Sequence, residues 1–460
     1  MTKFFIDQHG CAKNQTDGEL IAGYLQKQGF ELTQNADEAA FIFVNSCGFI
    51  NSAKKESIDA VCSIRKAYPE AKVILTGCLA ERYSKELYES MPELDGVFGN
   101  GDLSKIADFM KAITKERAVS VFPQKGVCGG SRPLLFNFPA TVFVKITEGC
   151  SNHCSFCAIP LIRGELRSRA EKEILNEITE LVNDGIYEIN LIGQDLAAYG
   201  TDTGTSLAAL LTKISKIKGD FVIRPLYIHP DHFTDDIISA IKSDKRFLPY
   251  FDIPFQSGDD DIIRAMNRTG SYKTYTDLIA KIRRELPDAV LRTTFLTGFP
   301  GETDAAAETT ARFLQEISPD WSGCFPYSRE EDTPAYDMKP RVPAKTAKAR
   351  AARLEEIQTA ITKDRLASYI GRELSVLVDE IVSDEGEEGL AIGRAWFQAP
   401  EVDGSVVIRF DSEDKNALEA VKAGNVVLVK ALASTGVDLD ACYIRIIRKF
   451  NQKNERKFIF

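Results

Sequence analysis

Cys150, Cys154 and Cys157 stand in the run ThrGluGlyCysSerAsnHisCysSerPheCys, a C-x3-C-x2-C spacing that puts three thiols in one tight loop. Thiolates this close can share one metal cluster, and an iron–sulfur cluster ordinarily takes four cysteine ligands. No fourth cysteine is near: Cys128 lies well before the run and Cys324 far behind it. Three thiolates leave one iron open to a small molecule, the arrangement needed to bind and reductively cleave S-adenosylmethionine. Phe156, just before the last cysteine, is expected to shield such a cluster from water. A Cys3His zinc site through His153 is an accepted ligand set. Because His153 adjoins Cys154, its ring would struggle to reach the same ion.

A second set is spread along the first part of the chain. Strand-like runs at Lys3–Asp7, Phe41–Asn45 and Val73–Thr76 alternate with helical patterns at Asp17–Gln28 and Ala53–Tyr68, which predicts an open parallel sheet with helices on its faces. Cys11, Cys47 and Cys78 each follow one of these strands. All strand carboxyl ends of such a sheet share one edge, where ligands bind. The three thiols therefore converge, and Gly10, Gly48 and Gly77 beside them permit close backbone approach. A single buried cysteine is only a small hydrophobe, and Cys62, on a helix, is read that way. Three at equivalent strand ends argue for a second three-thiolate cluster.

The segment from about 138 to 340 carries six strand-like runs: Thr141–Ile146, Glu188–Ile192, Arg224–Ile228, Tyr250–Phe255, Val290–Leu296 and Trp321–Pro326. Helical stretches between them, such as Ala170–Asp184 and Tyr272–Glu285, predict a partial (βα)6 barrel whose site gathers at the strand carboxyl ends. The C-x3-C-x2-C loop follows the first strand. Asp195, Gln256 and the Thr297–Glu302 run sit at other strand ends and are candidates for contacting a bound nucleoside; such residues serve equally often as turn formers. Arg292, within the fifth strand, is a candidate for a carboxylate or for a structural ion pair. A helix from Ala344 to about Ile370 follows, its mixed charges reading as a solvated face.

From about 372 to 450, β-rich runs at Glu373–Val378, Ser405–Phe410, Val426–Leu432 and Cys442–Ile447 predict a small antiparallel barrel of the nucleic-acid-binding kind. The Asp384–Glu388 run reads as an exposed hairpin tip. Acidic residues far outnumber basic ones between Glu373 and Asp440, so the barrel body should repel phosphate. The tail with Arg445, Arg448, Lys449, Lys453, Arg456 and Lys457 should attract it. That tail reads either as an RNA contact or as a frayed, solubilising end.

The 460 residues suggest about three domains, with boundaries at 1–125, 138–370 and 372–450. A net charge of −10 argues against nonspecific nucleic-acid binding. No secretory signal and no membrane-spanning apolar run is visible, which points to the cytoplasm, where thiols stay reduced. Ten cysteines there indicate metal or catalysis rather than a disulfide frame. Cys128, Cys324 and Cys442 are assigned to core packing. No internal repeat or low-complexity tract is present.

Taken in order, a three-cysteine α/β domain, a C-x3-C-x2-C barrel and a small TRAM-type barrel resemble the radical S-adenosylmethionine methylthiotransferases over nearly the whole chain. The runs GlyCysAlaLysAsnGln at 10–15, IleProLeuIleArgGlyGluLeuArgSerArg at 159–169, GlyGlnAsp at 193–195, GlyPheProGlyGluThr at 298–303, TyrSerArgGluGluAspThrProAla at 327–335 and GlyArgAlaTrpPheGlnAlaProGluValAspGly at 393–404 are most similar to the branch that modifies a ribosomal protein. The resemblance implies two 4Fe–4S clusters, a radical one on Cys150, Cys154 and Cys157 and an auxiliary, sulfur-bearing one on Cys11, Cys47 and Cys78. It implies S-adenosylmethionine as cofactor, an external electron donor, and a methylthio group added to the β-carbon of an aspartate in a small-subunit ribosomal protein. The family's barrel is expected to end near Val437–Asp440, with the basic tail beyond it.

Three alternatives stay open on the sequence. A sister reaction methylthiolates a tRNA adenosine with the same clusters. A binding module would use clusters structurally. A radical enzyme of another class would have no use for Cys11, Cys47 and Cys78. The acidic third segment favours a basic protein partner over RNA.

Overall fold

The computed structural model describes residues 1–122, 129–383, 388–452 and 456–458. Cys128, most of the expected hairpin tip and Lys453 lie outside them.

The first unit is a wholly parallel six-stranded sheet, in spatial order Glu31–Leu32, Lys3–Gln8, Phe41–Ser46, Lys72–Gly77, Gly96–Phe98 and Ala118–Ser120. Phe41–Ser46 is buried at every position, as a central parallel strand covered on both faces must be. The first helix runs Ala12–Lys27, starting five residues earlier than the sequence pattern indicated. Its N-terminal half is polar yet buried: Asp17 meets Lys145 and Arg163 of the second unit, Gln15 and Glu19 meet the segment leading into that unit, and Asn14 bonds to the turns of its own sheet.

The second unit holds the six expected strands, at Thr141–Lys145, Glu188–Ile192, Val222–Pro225, Tyr250–Asp252, Val290–Thr297 and Trp321–Pro326, with parallel pairing inside each half. The halves meet through Ile228 N–H donating to the Asp252 carbonyl, 2.8 Å. The helix Ala344–Ala367 is not solvated all round. Ala347, Ala351, Leu354, Gln358, Thr362 and Leu366 recur at helical spacing and are buried.

The third unit is a closed five-stranded barrel that includes a strand not read from sequence, Glu388–Ala395. Four of its pairings are antiparallel; Val406–Asp411 and Leu439–Arg448 pair in parallel. The last strand completes the barrel, so the fold does not end near Asp440, and Arg445 and Arg448 belong to it.

The three units are fastened by buried charge. On the carboxyl side of the barrel, Asp17 of the first unit pairs with Lys145 and Arg163, and Glu330 takes both Lys54 (2.8 Å) and Arg82 (2.7 Å). The first unit thus spans the barrel mouth from its first strand to the loop after its sixth. On the opposite side, Arg394 of the third unit reaches Glu188 at 2.5 Å, Tyr250 donates to Asp403 at 2.5 Å, and Trp321 Nε1 donates to the Phe397 carbonyl at 2.8 Å. Glu188, Tyr250 and Trp321 each open a strand, so the small barrel plugs the floor.

Candidate functional site

Because the first unit caps the mouth, the two cysteine sets face each other. All six thiols line one cavity of about 350 Å³. The carboxyl edge of a parallel sheet and the carboxyl mouth of a βα barrel are each ligand-binding positions, and here they enclose the same space.

In the first set, Cys11 caps the Ala12–Lys27 helix, Cys47 follows the Phe41–Ser46 strand, and Cys78 opens a short helix after Lys72–Gly77. Asn14 ties the turns together, its Nδ2 donating to the carbonyls of His9 (2.7 Å), Asn45 (3.1 Å) and Ser46 (3.2 Å). A Cβ on Gly48 would lie 2.7 Å from the Cys78 carbonyl, and Gly77 has φ +90°, so neither position accepts a side chain without moving the cysteines apart. Burial pushes the Cys47 thiol up to about 12 and also raises Cys78. Cys11 is exposed to the cavity; desolvation by the surrounding protein still acts upward on it, but the charges of Lys13 and Arg163 outweigh that and hold its thiol below its ordinary value.

In the second set, Cys150–Cys157 is a loop without regular structure, held at many points. Cys150 N–H donates to the Gly164 carbonyl (3.0 Å), Ser155 Oγ donates to the Ala265 carbonyl (2.9 Å), and Asn267 Nδ2 donates to the His153 carbonyl (2.9 Å). Burial pushes Cys150 up to about 11 and Cys157 up to about 12. Among the described residues no three His, Cys, Asp or Glu side chains group as a single ion would require. Three thiols around a cavity, with no fourth cysteine of their own loop among its lining residues, fit a cluster with one open iron.

Asp195 is buried and lies beside this loop. Its carboxylate accepts from Asn152 Nδ2 (3.0 Å), His232 Nδ1 (2.7 Å), and the backbone N–H groups of Ala197 (3.0 Å) and His229 (3.1 Å). Burial alone would raise its pKa; the hydrogen bond from His232 and the charge of His229 outweigh that and lower it. It faces a second, larger cavity of about 610 Å³ that only Cys150 of the six thiols reaches. Gln256 lines the shared cavity directly, with a left-handed backbone (φ +70°). Arg292 does not reach it: the guanidinium pairs with Asp252 (3.4 Å) and Asp403 (3.3 Å) at the junction with the third unit. Its strand position points it to the floor, so of its two sequence readings the structural ion pair is the one present. Of the Thr297–Glu302 run, Glu302 is spent on Gly298 N–H (2.6 Å) and Arg350 (2.6 Å).

The sequence pattern did not single out Lys13, Tyr227, Arg163, Arg268 and His229, which also line the shared cavity. The residue types gave little warning, since lone charged side chains are ordinarily solvated. Lys13 at least lies two positions after Cys11, within the GlyCysAlaLysAsnGln run. His229 Nε2 is 3.8 Å from the Cys154 sulfur. Phe156 lines the cavity as expected, and with Phe49, Gln256 and Thr294 it also borders an adjoining groove of about 620 Å³ that runs beside the exposed Phe325.

The remaining described cysteines separate. Cys324 is buried and Cys442 half-buried, but Cys62 is exposed on its helix, so it is not core packing. Nor is the basic tail simply frayed. Arg456 pairs with Asp184 at 2.9 Å, and Lys457–Phe458 pairs in parallel with Leu134–Leu135.

Three family models match the chain: Uncharacterized protein family UPF0004 over residues 3–99, the radical SAM superfamily over 144–314, and the TRAM domain over 370–444. The ribosomal protein uS12 methylthiotransferase RimO of Treponema denticola is 52% identical, covering 95% of this chain and 99% of its own length. That of Thermotoga maritima is 38% identical, covering 90% and 95%. Among solved structures, the radical S-adenosylmethionine methyltransferase TsrM from Kitasatospora setae superposes with a TM-score of 0.54 at 12% identity, over 73% of this chain and 74% of that one; this likeness is one of fold.

Proposed function

This chain belongs to the RimO family of ribosomal protein uS12 methylthiotransferases, and from that premise we propose how its two cysteine sets divide the work. The protein is a radical-SAM methylthiotransferase acting on uS12, using a 4Fe–4S cluster and S-adenosylmethionine. In our reading Cys150, Cys154 and Cys157 hold that cluster, Cys11, Cys47 and Cys78 hold a second one, and the acceptor is the β-carbon of an aspartate. The units are 1–125, 138–370 and 372–450, and an external donor supplies the electrons.

The observation that carries this reading is the single cavity lined by both sets. When bound, the first cluster with S-adenosylmethionine supplies removal of a hydrogen atom from an unactivated carbon, and the second supplies the sulfur. A β C–H bond offers no proton that a side-chain base could take at neutral pH, which is why the site needs thiolate ligands more than a tuned acid–base pair. The chain's own residues hold and enclose. Asp195 fixes Asn152 and with it the cysteine loop. Gln256 presents an amide to the cavity, and Phe156 and Ile162 keep water away from it. Arg163 places permanent positive charge beside the thiolates. The groove bordered by Phe49 and Phe325 offers a polypeptide a way in. Arg445 and Lys449 leave a contact with ribosomal RNA available if uS12 is met on the ribosome, while Arg456 is already engaged by Asp184.

The test is peptide mass spectrometry of uS12 incubated anaerobically with the reconstituted protein, reductant and S-adenosylmethionine. A methylthio mass gain on one aspartate peptide, absent with Cys78→Ala, is the expected result. A gain on a tRNA adenosine instead would replace this reading with that of the sister branch. No 5′-deoxyadenosine at all would leave a binding module.

A further inference from the structure

Lys13 is the second residue of the Ala12–Lys27 helix and lines the cavity shared by the six thiols. Its Nζ lies 3.4 Å from the centroid of the Tyr227 ring. Among the described residues no carboxylate comes within 4.0 Å of it and no hydrogen-bond acceptor engages it. Burial lowers its pKa, and the charge that offsets this most is the Cys11 thiol, so no carboxylate yet holds the ammonium. The charged groups that fasten this junction are, by contrast, matched: Arg163 by Asp17 and Glu148, Lys145 by the same two, Arg82 and Lys54 by Glu330. Local helix energetics do not explain the exception, since a cation in a first turn meets the positive end of the helix dipole. Tyr227 holds its ring there on a left-handed backbone (φ +66°), a conformation that costs energy in a non-glycine residue and clusters at functional sites.

We propose that Lys13 grips the carboxylate of the acceptor aspartate and so sets the preference for an acidic protein side chain. This rests on the proposed aspartate acceptor. The ammonium rises from the helix that Cys11 caps, so it stands on the sulfur-bearing side of the cavity, where the acceptor carbon has to arrive. An ion pair to the carboxylate would leave the neighbouring β-carbon in the open space between the two thiol sets. A neutral acceptor would leave the ammonium unmatched and lose that hold.

A competing role is charge balance for the adjacent thiolates, which makes no distinction between acceptors. Binding to the reconstituted holoprotein separates the two, using a fluorescent uS12 peptide that carries the acceptor aspartate and its Asp→Asn counterpart. Wild type is expected to prefer the aspartate peptide. Lys13→Met should weaken that peptide roughly 10- to 100-fold, the range for losing a charged hydrogen bond, and the asparagine peptide by under about 3-fold. Lys13→Arg should keep the preference. Equal weakening of both peptides, or no change in either, overturns the proposal. Should Lys13→Met take up no iron, Lys13→Gln is read the same way; failure of both to load assigns the ammonium to the thiolates and overturns it as well. If wild type modifies no aspartate of uS12 by mass spectrometry, the aspartate reading has failed first and takes this one with it.

Discussion

Arg163 Nη2 lies 3.1 Å from the sulfur of Cys78, although the two residues belong to different units of the fold. Arg163 comes from the short helix Ile159–Arg163, directly after the C-x3-C-x2-C loop, and Cys78 closes the first cysteine set. The same guanidinium pairs with Asp17 at 2.9 Å and Glu148 at 2.7 Å. One side chain from the helix after the second thiol set therefore reaches the first set and the charge network that docks the units.

Replacing Arg163 with Ala should leave two buried carboxylates, Asp17 and Glu148, sharing the one charge of Lys145, with Gln194 Nε2 still donating to Glu148 at 3.2 Å. Removing one partner of a buried pair costs on the order of 3–5 kcal/mol. The expected outcome is a lower thermal unfolding midpoint together with loss of methylthiolation. Arg163→Lys, which keeps charge but loses the fork, should recover stability only in part. An unchanged midpoint in the Ala variant would mean that the network does not carry the docking.

The two thiol sets should be separable. Cys154→Ala is expected to abolish 5′-deoxyadenosine formation, whereas Cys78→Ala should retain it and lose the methylthio product. Iron per chain should fall by about half in each, as expected for two equal clusters. Equal loss of 5′-deoxyadenosine in both variants would contradict a division of labour.

Gly48 tests the tightness of the first set. A Cβ there would meet the Cys78 carbonyl at 2.7 Å, a clash with backbone that no rotamer change relieves. Gly48→Ala should behave as Cys78→Ala does in iron content and product, with the fold retained by circular dichroism. Full iron loading would show that the Cys47 and Cys78 turns can spread without penalty.

Asp403 provides a pH signature at the barrel floor. Burial raises its carboxyl from 3.8 to about 6, against the pull of Arg292. The folded state then holds this proton more tightly than the unfolded chain, so stability rises as pH falls through 6 and is lost as pH rises through it. Compared with Asp403→Asn, wild type should gain about 1 kcal/mol between pH 7 and pH 5 by urea titration. A difference that stays flat with pH would refute the shift.

Much of the site is legible in the amino-acid sequence. Loop spacing confines Cys150, Cys154 and Cys157 within a few residues, and a parallel sheet sends every strand carboxyl end to one edge, which gathers Cys11, Cys47 and Cys78. Both constraints are local or topological, and periodicity reports them. The six barrel strands came from the same signal, and Glu188–Ile192 and Trp321–Pro326 match residue for residue.

What the tertiary structure alone decided is how the units meet. Asp17 and Arg163, or Lys54 and Glu330, look like solvated charges in sequence, and only docking turns them into buried pairs. The same docking turned Arg292 toward Asp403 and away from the shared cavity, and left Lys13 facing that cavity with no carboxylate beside it. Spacing along the chain sets what a segment can hold. Which face it shows to another unit depends on pairings between residues far apart in sequence, and no local pattern encodes those.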